Sequence, residues 1–169
     1  MRRHVQLFVI GCLLAGGASA AAGEFRFPKT GTPAFLVNLP EGWTTYEDQL
    51  HRMELIPVDH SAAIYLAILT DKTYEGQPLE NLAVGMGLPS KIKHFLKDVP
   101  ADVSGHKGRA FLAQTKNPWG DELDVKFVII PLAPDQWATM TVVVPVKSTD
   151  LGRKLFEQPI AEIALTTDK

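Results

Sequence analysis

The densest mixture of recognition chemistry in this chain is the run NPWGDELD, Asn117 to Asp124. Asn-Pro followed by Trp-Gly favours a tight turn, so Trp119 is expected at a hairpin tip beside three carboxylates, Asp121, Glu122 and Asp124. An aromatic ring flanked by acids on a projecting loop suits contact with a protein or a cationic group. The competing expectation is that Trp119 folds back on its own hairpin.

Other sets of reactive side chains are sparser. His51 follows Glu47 and Asp48, and Asp59-His60 falls in a turn near Glu54; these could offer nitrogen and oxygen ligands, but they lack the short recurrent spacing of metal sites. His94 and His106 stand apart, flanked by lysines that oppose a cation. Ser104-Gly105-His106 lacks the strand-to-helix setting that activates a hydroxyl. Gly85 to Gly87 (GMG) lies inside an apolar helical pattern without the lysine of a phosphate loop. No catalytic residue, cofactor or metal ligand is assigned on these grounds. Trp43, after the Pro40-Glu41-Gly42 turn, is read as a structural residue whose large ring closes a core.

The chain begins MRRHVQLFVIGCLLAGGASAAAG, with a basic start, an apolar stretch from Val5 to Leu14 and small residues ending in Ala18-Ser19-Ala20. That order is expected of a secretory signal cleaved after Ala20, too short and wrongly flanked for a membrane span. An alternative cut makes Val9-Ile10-Gly11-Cys12 a lipobox and leaves Cys12 as a lipid-bearing terminus. Cleavage after Ala20 turns 169 residues into 149, a length suited to one domain spanning residues 21–169. It removes Arg2 and Arg3 and no acid, leaving 15 basic against 19 acidic residues and a formal charge of −4. A nucleic-acid partner is not expected, since no basic patch with interleaved aromatics exists. The sole cysteine, Cys12, leaves with the signal, which excludes disulfides, thiolate metal sites and a cysteine nucleophile.

Strands are expected over Ala34–Leu39, Arg52–Pro57 and Ala62–Thr70, the last with Ile64, Leu66 and Ile68 on one face and Tyr65, Ala67 and Leu69 on the other. Leu79, Leu82, Ala83 and Met86 follow helical spacing, as do Ile92, Phe95, Leu96 and Val99 beyond Gly87-Leu88-Pro89, which predicts a kinked helix or two short ones. Gly108–Lys116, Glu122–Ile130 and Gln136–Pro145, separated by turn-rich NPWGD and PLAPD, predict an antiparallel meander. Ser148-Thr149-Asp150 offer N-caps for a closing helix through Phe156, and Pro159 bends the chain before Ile160 to Leu165. Because several strands are apolar on both faces, helices are expected on both sides of one antiparallel sheet: an α+β fold, an α/β/α sandwich.

The order of AFLVNLPEGW, SAAIYLAIL, LENLA, GRAFLAQT, WATMTVVVP and PIAEIAL resembles the PsbP-like and Mog-type superfamily, nearest its bacterial DcrB-type periplasmic domains. The resemblance covers nearly the whole mature chain and rests on structural punctuation. It implies the same α/β/α sandwich and a non-enzymatic habit of binding other proteins; some plant members assist a manganese–calcium cluster, and one branch chaperones secreted effectors in the cytoplasm, which the signal here argues against. The expected function is therefore an exported, periplasmic or secreted binding or accessory protein whose partner is another envelope or secreted protein. The alternatives are a small secreted enzyme whose site assembles only in the fold, or an envelope protein anchored through Cys12.

Overall fold

The computed structural model describes residues 23–48, 51–85, 92, 95–158 and 163–167. The expected signal segment and Cys12, the Met86–Pro89 break, His94 and Ile160 lie outside them. Among the described residues the chain forms ten strands: β1 (Gly23–Phe27), β2 (Ala34–Leu39), β3 (Thr44–Glu47), β4 (Met53–Ile56), β5 (Ala63–Thr70), β6 (Lys97–Val103), β7 (His106–Lys116), β8 (Glu122–Ala133), β9 (Gln136–Pro145) and β10 (Ile163–Thr166). Two helices, α1 (Leu79–Gly85) and α2 (Asp150–Glu157), and a 3₁₀ turn over Lys72–Tyr74 complete it.

The strands make two antiparallel sheets, one of seven strands ordered β3-β4-β5-β9-β8-β7-β6 and one of three ordered β1-β2-β10. Alternation along the central strands creates two apolar layers. Ile64 and Leu66 of β5, Val128 and Ile130 of β8, and Met140, Val142 and Val144 of β9 face one side. There they meet Phe27, Phe35, Val37, Leu39, Ile163 and Leu165 of the small sheet and Leu155 of α2. The opposite face presents Phe111, Val125, Phe127, Ile129 and Trp137, covered by Leu82 and Ala83 of α1 with Tyr74, Ile92 and Phe95 at its margin. Burying both faces of β5, β8 and β9 supplies the apolar burial that a chain without disulfides needs.

This arrangement corrects the expected α/β/α sandwich. Two-sided apolar strands require two covers, and here a second β-sheet, aided by α2, is one of them. The segments that build it are short, five residues in β1 and four in β10, so each carries little periodic signal of its own. The expected helix around Phe95, Leu96 and Val99 is corrected as well: Lys97–Val103 is the edge strand β6, paired with β7 from Lys97↔Leu112 to Val103↔His106. Val99, Ala101 and Val103 alternate toward the first apolar layer, and Pro100, which would break a helix interior, is tolerated on an edge strand. Ser104 and Gly105, at φ +54° and +85°, form the two-residue β6–β7 turn, with the Gly105 amide donating to Asp102 Oδ1 at 2.7 Å. The Ser104-Gly105-His106 run therefore serves as hairpin chemistry.

Candidate functional site

The β7–β8 hairpin is built by one side chain. Asn117 Oδ1 accepts from the backbone amides of Trp119 (3.0 Å) and Asp121 (2.9 Å), its Nδ2 donates to Asp121 Oδ2 at 2.9 Å, and its carbonyl accepts from the Gly120 amide at 3.0 Å. Gly120, at φ +90°, takes a backbone conformation that a side chain would strain. The tip is therefore preorganised, and it holds Trp119 with 56 % of its surface exposed. Among the acids expected beside it, Asp121 is engaged by Asn117, and Glu122 lies 3.7 Å from Lys116 in a solvent-exposed pair worth little to stability.

Asp124 has a different setting. Its side chain faces α2, where Oδ2 accepts from Arg153 Nη1 at 2.6 Å and Oδ1 from Gln114 Nε2 at 2.8 Å. Arg153 Nη2 also donates to the Pro145 and Val146 carbonyls at 2.9 and 2.5 Å. Lys126 completes the attachment of α2: its ammonium donates to the carbonyls of Phe156 and Glu157 and lies 4.9 Å from the Phe156 ring centroid. Burial holds its pKa below the ordinary lysine value. We expect Asp124→Ala to lower stability by about 1 to 3 kcal/mol, chiefly because Arg153 loses a charge-assisted partner in a part-buried place, while the bond from exposed Gln114 adds little. Urea unfolding measures this, and an unchanged midpoint would show that the tie contributes nothing.

The hairpin tip shares one end of the large sheet with two further exposed apolar side chains. The Val146 amide donates to Glu122 O at 2.9 Å, which sets the end of β9 beside the start of β8. Thr149, the N-cap of α2, donates to Asp59 Oδ2 at 2.9 Å and so joins α2 to the β4–β5 turn. Trp119, Leu151 and Val58 thus lie along a common rim at 56, 37 and 66 % exposure. Sequence reasoning found only the first, because helix and turn residues meet at a sheet end through register.

Trp43 is placed by the turn that carries the chain from the small sheet to the large one. Gly42 has φ +83°, the Trp43 amide donates to Pro40 O at 3.4 Å, and the ring is 7 % exposed within the first apolar layer. Of the histidines, His51 Nδ1 lies 3.4 Å from exposed Glu47, and His60 occupies a turn at φ +52°. Asp59 accepts from the Ser61 amide at 3.0 Å as well as from Thr149, and these hydrogen bonds hold its pKa below the usual value against the opposing effect of burial. Among the described residues no three His, Cys, Asp or Glu side chains gather as a metal site requires.

No family model matches the chain, and no curated protein does. Solved structures do. A protein of Bacteroides thetaiotaomicron superposes with a TM-score of 0.52 at 11 % identity, covering 80 % of this chain and 45 % of its own length. This chain therefore spans less than half of that protein. LpqN, involved in cell envelope biogenesis of Mycobacterium tuberculosis, superposes with a TM-score of 0.51 at 13 % identity over 85 % of this chain and 90 % of LpqN. At these identities the likeness is one of fold. Among the described residues no helix is long and apolar enough to cross a membrane.

One polar cluster escaped the sequence reading as a unit. β4 and β5 pair Glu54 with Tyr65, and β3 sets Tyr46 opposite Glu54 on its other side. Glu54 is 6 % exposed, and among the described residues its Oε1 has no hydrogen-bond partner. Burial raises its pKa above the ordinary 4.5; hydrogen bonding from Tyr65 opposes the rise, and Asp48 adds to it more than Arg52 subtracts. The Arg52 guanidinium lies 5.7 Å from the Tyr65 ring centroid and 2.7 Å from Asp48 Oδ2, so its charge is already engaged. Burial, and then Glu54, push the Tyr65 phenol well above its ordinary range.

Proposed function

We propose that this chain is an exported accessory protein that binds another envelope protein through the rim carrying Trp119, and that it does so without catalysing a reaction. The observation that carries the reading is a tryptophan more than half exposed on a hairpin whose backbone is fixed by Asn117. Rigid, exposed aromatic rings make strong interface anchors because little conformational freedom is lost on binding. Leu151 and Val58 extend the apolar surface along the same rim, and Asp121, Glu122 and Asp150 supply charge that steers association.

Three further observations support this reading. The signal-like N-terminal run supports export to a periplasmic or secreted location, with the Cys12 lipid anchor as the variant of it. The likeness in fold to LpqN supports work at the cell envelope, and the resemblance of the strand sequences to PsbP-like and DcrB-type domains supports a binding role, although its helical layering is not followed. A photo-crosslinking residue placed at position 119 or 151 in the producing cell tests the proposal. We expect a discrete adduct from either position and none from position 72, at the opposite end of the sheet. Equal labelling from all three positions would overturn it.

A further inference from the structure

Among the described residues the seven-stranded sheet ends at β3, a strand of four residues paired only with β4. The Asp48 amide donates to Arg52 O at 2.9 Å, and alternation along an antiparallel pair then directs the Tyr46 and Thr44 amides toward β4 as well. On its other flank β4 adjoins β5, which pairs with β9 from Ala63↔Val143 to Thr70↔Gln136. Between these unequal neighbours sits Glu54, nine-tenths buried and with one carboxyl oxygen that lacks a partner among the described residues.

A protonated carboxyl tolerates that place, since it carries no charge and Tyr65 offers a hydrogen bond. A carboxylate does not: it must be hydrated or paired, Arg52 is already held by Asp48, and Asp48 itself repels it. Water reaches Glu54 with the least disruption by release of β3, because separating β4 from β5 would open the core, whereas β3 is an edge with Tyr46 and Glu47 exposed. We infer that Glu54 is a proton-controlled latch on this edge: with its carboxyl protonated the β3–β4 hairpin is closed, and loss of the proton to solvent loosens β3 from β4.

The sign follows from the direction of the shift. A carboxyl that binds its proton more tightly when folded contributes stability that is fully present below the ordinary value of 4.5 and is lost as pH rises through the folded-state value. Among the described residues the titratable or charged groups facing Glu54 are Tyr46 from β3, Tyr65 from β5, and Asp48 and Arg52 beside them. His51 and Glu47 form a separate exposed pair on the same hairpin, so the test must leave them in place.

Amide hydrogen exchange of the exported protein between pH 4.5 and 8, with each rate divided by its intrinsic value, reads the latch. Protection of the Thr44, Tyr46 and Asp48 amides is expected to fall on the order of tenfold more with rising pH than that of Ile64 and Leu66. Glu54→Gln, which keeps the shape and cannot ionise, should abolish the difference while retaining the His51–Glu47 pair. Tyr65→Phe removes the hydrogen bond that favours the carboxylate, so loosening should move to higher pH; this variant keeps the test decisive if Glu54→Gln does not fold. Uniform protection of the β3 amides across the range, or the same pH response in Glu54→Gln as in the parent protein, would overturn the inference, as would a Tyr65→Phe transition moving to lower pH.

Discussion

Truncating Trp43 to alanine is expected to lower stability by about 3 to 5 kcal/mol, the range for removing a large buried aromatic ring. Trp43 follows the turn by which the chain leaves β2 in the small sheet and enters β3 in the large one, and its ring lies in the apolar layer between those sheets. The loss has two parts. The ring's transfer free energy disappears, and the cavity left behind closes only partly, because the flanking backbone is fixed by Gly42 at φ +83°. Guanidinium unfolding of the two proteins measures the effect; a loss under about 1 kcal/mol would mean that the ring does not support the junction of the sheets.

The parts of the fold legible in the sequence are those where local chemistry and long-range pairing agree. The meander β7-β8-β9 follows from long apolar alternation interrupted by NPWGD and PLAPD, and its register runs unbroken from Lys116↔Glu122 to Arg109↔Ile129. β8 goes further than its alternation suggested, through Pro131 to Ala133, across an irregularity in its pairing with β9. Phe95, Leu96 and Val99 suit helical spacing, yet from Lys97 the chain is the strand β6; Pro100 is the residue that speaks against a helix there. β1 and β10 pair with β2 from opposite ends of the chain, at Phe25↔Val37 and Ile163↔Val37, and nothing local announces such a partner.

The same division holds for the site. The Trp119 turn was legible because Asn, Pro and Gly each have a conformational role within a few residues. Adjacency in sequence groups Asp124 with the tip, yet its partner Arg153 is 29 residues away on α2. Glu54 and Tyr65 are brought face to face only by the β4–β5 register.

Trp119→Ala separates recognition from packing more directly than any other change. A ring more than half exposed on a hairpin held by Asn117 contributes little to the core, so the melting transition should stay within about 0.5 kcal/mol of the parent protein. An anchor at the centre of an interface should, when removed, weaken binding by about 2 kcal/mol or more. The flanking acids should act through the rate of association and be screened over roughly 8 Å at physiological ionic strength. The decisive measurement is capture of the crosslinked envelope partner by the parent protein and by Trp119→Ala, alongside a thermal melt of each. Unchanged melting is expected with capture reduced at least about thirtyfold, the equivalent of 2 kcal/mol. A variant that melts as early as Trp43→Ala, or that captures the partner as well as the parent does, would contradict it.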